Sequence, residues 1–202
     1  MYGVCFAQDD AVAKEYFNTG EFEKALIEYS KLLEVKPNNI NYALTYVKTL
    51  RQLERYDEAE EFLLNQYSRI KYPGYLVEIG YNYQLKGDER KAETYFNEAL
   101  TKIDERPSTI YSIARYFEDY SLLDYALTAY KKALDGNTEF NFDLQIARIY
   151  ADQGNIEQML SSYVDYAEFN PNHINNVKRA LSDFLTEDPE SENNLILKKG
   201  IT

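Results

Sequence analysis

Three glycines, Gly20, Gly87 and Gly154, stand 67 residues apart, and such a recurrence across most of a chain demands a repeated structural unit. Halfway between them lie Glu54 and Ser121, so the unit is 33 or 34 residues long. Its clearest copy is Ile79 to Leu100, IGYNYQLKGDERKAETYFNEAL. Ile79, Gly80 and Tyr83 share one helical face, and Ala92, Phe96, Ala99 and Leu100 share another. Between them Gly87 tolerates the left-handed conformation that ends a helix, and Asp88 supplies a cap for the next. The unit therefore reads as two short helices and a turn. One such hairpin leaves apolar surface exposed, so it needs neighbours.

The columns of the repeat agree with that reading. Five residues after each turn position come Ala25, Ala59, Ala92, Ala126 and Met159, small in four of five units. Four residues further on stand Tyr29, Leu63, Phe96, Tyr130 and Tyr163. On the preceding helix the large residues are Tyr16, Leu50, Tyr83, Phe117 and Tyr150, and the close-approach position holds Ala13, Val47, Gly80, Ala114 and Ala147. Carboxylates at Glu23, Asp57, Asp124 and Glu157 fall in the first turn of the second helix, where the helix dipole favours them. Units start near residues 6, 40, 73, 107 and 140, with a partial one near 174. In that sixth unit Ile174, Val177, Ala180, Leu181, Phe184 and Leu185 form an apolar face.

The two ends read differently. Met1 to Gln8 does not read as the start of a helix and resembles the last part of a secretory signal, Cys5 and Ala7 forming a small-x-small pattern before Gln8. The alternative is an ordinary frayed terminus. At the other end Asp188 caps and Pro189 opens a short helix running to about Lys199. Residues 188–202 then either close the stack or form the edge of a longer array, because Leu195, Ile196 and Leu197 are not polar. The expected organisation is a leader or frayed end over 1–8, an array over 9–187 and this last segment.

The period, with Gly80, Tyr83, Gly87, Ala92, Phe96 and Ala99 in that order, resembles the tetratricopeptide repeat family from about Phe6 to Pro171. Pro37 and Pro171 match that family's closing proline, while Lys71, Asp104 and Thr138 depart from it. The family's Trp is replaced throughout, by Asp9, Ala43, Leu76, Ile110 and Asp143. The resemblance implies an all-α, right-handed superhelical solenoid of antiparallel helix pairs, with five repeats and a degenerate sixth or capping unit. It also implies a concave groove, lined by the first helices, that holds a peptide or a partner helix.

Carried over in register, the groove positions form two columns. Asp10, Leu44, Val77, Tyr111 and Leu144 are mostly apolar; Lys14, Lys48, Tyr81, Arg115 and Arg148 are basic in four of five places. A basic ladder beside an apolar strip suits a protein or peptide segment bearing acidic and apolar side chains. Tyr81 breaks the ladder at its middle, where an aromatic anchor contributes most. The family's grip on chaperone carboxylate tails uses a set of Lys, Asn and Arg that Asp10 and Lys14 do not reproduce.

Composition narrows the function classes. A net charge of -12, from 34 acidic and 22 basic residues, opposes binding to nucleic acid or anionic membranes. No apolar run approaches a membrane span of about 18 residues. One Cys forbids an internal disulfide, and one His, His173, forbids a His-rich metal site. The 20 Tyr read as half-buried rings with wet hydroxyls, and Glu118 with Asp119 as a solvated face. No nucleophile-base pair, metal cluster or phosphate loop is legible, so neither a catalytic site nor a cofactor is expected. The expectation is a non-catalytic interaction scaffold, exported to a bacterial periplasm or cell envelope, with a cytoplasmic protein as the alternative. Two other readings stay open: an assembly subunit that self-associates through Leu195 to Leu197, and the binding module of a longer, enzymatic protein.

Overall fold

A computed structural model describes residues 6–136, 141–182, 184, 188, 190–191 and 193–196. Among them there is no strand, and eleven α-helices follow one another with short turns. In chain order they are α1 (Phe6–Asn18), α2 (Phe22–Val35), α3 (Ile40–Gln52), α4 (Tyr56–Ile70), α5 (Gly74–Leu85) and α6 (Glu89–Glu105). Then come α7 (Ile110–Asp119), α8 (Leu123–Gly136), α9 (Asp143–Asp152), α10 (Ile156–Phe169) and α11 (Ile174–Ser182), with 3-10 turns at Pro107–Thr109 and Pro171–His173. The fold is all-α, and helices pack against their sequence neighbours as in a helical repeat.

All five predicted turn positions have a left-handed backbone: Gly20 at φ 79°, Glu54 at 58°, Gly87 at 78°, Ser121 at 56° and Gly154 at 71°. Each closes in the same way. In the third turn the N–H of Gly87 donates to the Gln84 carbonyl, and that of Asp88 to the Tyr83 carbonyl, both at 2.9 Å. This is the paired closure that satisfies the last carbonyls of a helix around a left-handed residue. The equivalent long bonds end on the carbonyls of Tyr16, Leu50, Phe117 and Tyr150, the large residues of the first-helix column. Asp88 caps the next helix as expected, its Oδ1 accepting from the Lys91 N–H at 3.1 Å.

The columns read from the sequence are the core. Ala25, Ala59, Ala92, Ala126 and Met159 are all fully buried, as are Ala13, Val47, Ala114 and Ala147. Tyr29, Leu63, Phe96, Tyr130 and Tyr163 are buried beside them. At Gly80 the close approach is literal: a Cβ would stand 2.4 Å from Cε1 of Phe96 and 3.1 Å from the Ala92 carbonyl oxygen. Eight residues after the large first-helix residue, another side chain covers it. Lys24 Nζ lies 5.2 Å from the Tyr16 ring, Lys91 Nζ 4.7 Å from Tyr83, and Tyr125 stacks on Phe117 at 5.3 Å.

The chain divides into two compact units, one up to Ala99 and one from Leu100, the division falling within α6. In the first unit a cluster of Ala13, Ala25, Tyr29 and Leu32 ties α1 to α2. In the second, Ala147, Ile156, Met159, Leu160, Tyr163 and Val177 form a cluster that Leu181, Phe184 and Ile196 cover.

Several expectations are corrected. Helix α1 begins at Phe6, so Phe6 to Gln8 are helical where the sequence suggests no helix start, while Met1 to Cys5 lie outside the described residues. Ile174 is 40% exposed and stands off the apolar face of the sixth unit. Asp188 Oδ1 accepts from the Glu190 N–H and so makes a turn; Ser191 Oγ accepts from the Asn194 N–H and starts the helical stretch 193–196. Ile196 packs, half-buried, against the second unit's core cluster and Leu195 is 38% exposed, whereas Leu197 and the predicted end at Lys199 lie outside the described residues.

Two outcomes follow for stability. Gly80→Ala should destabilise by about 1 to 3 kcal/mol in urea unfolding, because the Phe96 ring is pinned in the core and cannot yield. Pairing it with Phe96→Leu should recover much of the loss. Glu54→Gly and Ser121→Gly should each stabilise by about 0.5 to 1 kcal/mol, since glycine avoids the left-handed penalty. Thermal melts would then move upward by roughly 2 °C.

Candidate functional site

Each first helix carries its buried columns on one side, which leaves the groove columns on another. In the first compact unit these bring α1 and α3 together around a cleft of about 470 Å³. It is lined by Asp10, Lys14, Phe17 and Asn18 from α1, by Asn41, Tyr42, Thr45 and Lys48 from α3, and by Tyr29 and Asn39. Lys14 and Lys48 thus reach one site from two helices. Neither makes an ion pair among the described residues, and Asp10 is the only carboxylate of the lining. Local structure holds the rest of the wall. Asn39 caps α3 by accepting from the Tyr42 N–H at 3.1 Å, and the Thr45 hydroxyl donates to the Asn41 carbonyl at 3.0 Å. Burial pushes the Tyr29 phenol up, so it stays a neutral hydroxyl at the cleft's inner wall.

Cations and polar hydrogen-bonding groups on a partly enclosed surface recognise a carboxylate and the peptide groups beside it. Of the basic column, Lys14 and Lys48 line this one cleft.

Tyr81 is placed differently. Its ring lies 5.1 Å from the guanidinium carbon of Arg51, which is buried. Arg51 Nη1 donates to Glu78 Oε2 at 2.7 Å, Nη2 to the Glu78 carbonyl at 2.6 Å, and Nε to Asn82 Oδ1 at 3.3 Å. Asn82 Nδ2 in turn donates to the Tyr56 carbonyl at 2.9 Å. The network joins α3 to α5 and makes Tyr81 the cover of a buried ion pair. The sequence holds one sign of it. Nine of the twelve residues of α5 are buried, and its lone acid, Glu78, has no stable place there without a cation.

The apolar strip is also corrected. Val77 is fully buried and Leu44 is 8% exposed, so both serve packing rather than a ligand. At these two places the column is taken up by packing, while Asp10 of the same column lines the cleft. In the second unit Leu144 packs against the core cluster, while Tyr111 is 62% exposed and meets the edge of Phe142 at 5.9 Å.

The remaining basic positions have acidic company. Arg115 is exposed, 3.9 Å from Asp119. Arg148 lines a cleft of about 480 Å³ with Glu118, Asp152, Ser121, Leu123, Gln145 and Ile149. Glu118 accepts from the Tyr130 hydroxyl at 2.5 Å, more than the solvated role expected of it. Burial and that bond push the Tyr130 phenol well above its ordinary value. His173 sits in its 3-10 turn, exposed, its Nδ1 2.6 Å from the Tyr166 hydroxyl. Among the described residues no group of three or more His, Cys, Asp or Glu could hold a metal, and no helix is long and apolar enough to cross a membrane.

Helix pairs with left-handed turns, small close-approach residues and a polar cleft on the first helices define a repeat protein of the helix-hairpin class. Comparison with known families gives that class a name at two places: residues 11–39 and 73–101 match the profile described as tetratricopeptide repeat. The chain is similar to that family over α1 with α2 and over α5 with most of α6. Among solved structures it is similar to a thermophilic TPR protein of Thermus thermophilus, TTC0263, at 17% identity and a TM-score of 0.46, covering 89% of this chain and 99% of that one. MamA protein gives 17% and 0.42 over 84% and 93% of the two chains. Pseudomonas aeruginosa pilF gives 20% and 0.43 over 81% and 75%. No curated protein sequence matches the chain.

The buried pair yields a test. Glu78→Leu or Arg51→Met alone should cost about 3 to 5 kcal/mol in chemical denaturation, because each strands a buried polar partner. The double substitution Arg51→Met with Glu78→Leu should cost much less than the two single changes added together.

Proposed function

We propose that the protein is a non-catalytic interaction scaffold that holds an acidic segment of a partner protein in the cleft between α1 and α3. What supports this is the pair Lys14 and Lys48: two cations from different helices, without ion pairs among the described residues, converging on one polar cleft in a chain of net charge -12. In a protein so acidic, cations left unneutralised within one cleft favour a carboxylate from outside. The amides of Asn18 and Asn41 and the hydroxyls of Tyr42 and Thr45 line the same cleft and are suited to the peptide groups flanking that carboxylate. Apolar side chains of the segment would find Phe17 at the cleft wall. Arg115 and Arg148 play the lesser part in this reading, since each stands near carboxylates of its own unit. Export to a bacterial cell envelope belongs to the same reading and rests on Met1 to Gln8 alone.

The test is a peptide array probed with the labelled full chain, followed by titration of the best acidic sequence. The double variant Lys14→Glu with Lys48→Glu should bind that peptide at least about tenfold more weakly, with its circular dichroism unchanged. Rising salt should weaken the parent chain's binding in the same direction. Equal affinity of parent and variant would sink the proposal.

A further inference from the structure

We infer that the cleft of the second compact unit is a separate binding site, selective for a basic and an acidic side chain presented together on one peptide segment. The argument starts from charges that stay unspent. Arg148 and Asp152 are four apart on α9, a spacing at which opposite charges commonly pair along a helix surface. They do not pair here, and neither is joined to Glu118 among the described residues. All three nonetheless line the same cleft of about 480 Å³, a size typical of ligand sites. Two negative groups and one positive group therefore face a shared space without neutralising one another.

Glu118 is also held in place. Its Oε1 accepts a 2.5 Å bond from the hydroxyl of Tyr130, a buried residue of α8, which fixes a carboxylate on α7 before any ligand arrives. Preorganised groups bind more tightly than mobile ones because less freedom is lost. The floor of the cleft is apolar, formed by half-buried Leu123 and by Ile149, which is 3% exposed. A Lys or Arg side chain fits such a surface well, its methylene stem lying on the floor and its charged head meeting Glu118 and Asp152.

Arg148 sets the second requirement. A lone cation entering the cleft would be repelled by the guanidinium, and a lone carboxylate by Glu118 and Asp152. A segment carrying both satisfies all three groups at once, and Ser121 and Gln145 offer a hydroxyl and an amide to its backbone. The site differs in charge pattern from the cleft of Lys14 and Lys48, so one partner could present distinct stretches to each compact unit.

Nuclear magnetic resonance of the isotopically labelled full chain tests this with three acetylated, amidated hexapeptides carrying one Lys and one Glu, two Lys, or two Glu. The Lys/Glu peptide should shift the amides of 118–123 and 145–152 and saturate, and the other two should shift them at least about tenfold less at equal concentration. Arg148→Gln and Asp152→Asn should each weaken the Lys/Glu peptide by about tenfold; the Tyr130 hydroxyl donates to Glu118, so neither substitution removes a partner of that bond. Unmoved amides, equal response to all three peptides, or indifference to both substitutions would each overturn the inference. Amides of 10–18 and 39–48 report the first unit's cleft in the same spectra, which keeps the fate of the two sites distinguishable.

Discussion

The carbonyl of the large residue in each first helix is where turn and core are fastened to each other. The side chain of Tyr83 is buried between helices, and its own carbonyl accepts the 2.9 Å bond that closes the left-handed turn at Gly87. Moving the side chain moves the acceptor, and opening the turn moves the side chain. The carbonyls of Tyr16, Leu50, Phe117 and Tyr150 accept the equivalent bonds, with Leu50 and Phe117 fully buried and the two tyrosines half-buried. That coupling sets the exit direction of the chain and hence which face of the second helix meets the first. The small residues Ala25, Ala59, Ala92 and Ala126 then fall at the close contact, each fully buried, with Met159 in their place in the fifth unit.

This coupling explains why so much of the fold is legible in the sequence. Turn, close approach and core filler lie within about a dozen residues of one another, so their spacing in sequence is nearly their spacing in space. Even Glu54 and Ser121, which carry no glycine's freedom, are identifiable because the period requires a turn at those positions, and both have positive φ. The helical start at Phe6 is not legible for the converse reason. No column precedes α1, and without a repeat to align with, Phe6 to Gln8 carry only a local cleavage-like pattern.

Partnering between helices of successive units is not legible, since a period says where residues recur and says nothing of what they meet. Arg51 and Glu78 lie 27 residues apart and occupy different columns, so no column comparison joins them. Val77 and Leu44 occupy a groove column by register, yet they are buried. Register alone therefore does not tell which members of that column are open, since Asp10 lines a cleft and Tyr111 is exposed. In the polar column each cation's fate depends on neighbours that vary freely. Lys14 and Lys48 share a cleft with a single acid, whereas Arg148 shares one with two.

The division of labour among positions has a physical root. Core columns are constrained by volume, and a volume constraint tolerates little substitution, so those columns repeat. Cleft positions are constrained by charge alone, and a change of charge on an exposed position costs the fold little. Repetition therefore fixes one scaffold while leaving its two clefts, one with Lys14 and Lys48 and one with Glu118, Arg148 and Asp152, able to differ in sign. The buried Arg51 and Glu78 pair marks the boundary between these regimes. It is polar like a cleft residue but desolvated like a core one, so its loss would be felt in stability before it was felt in recognition.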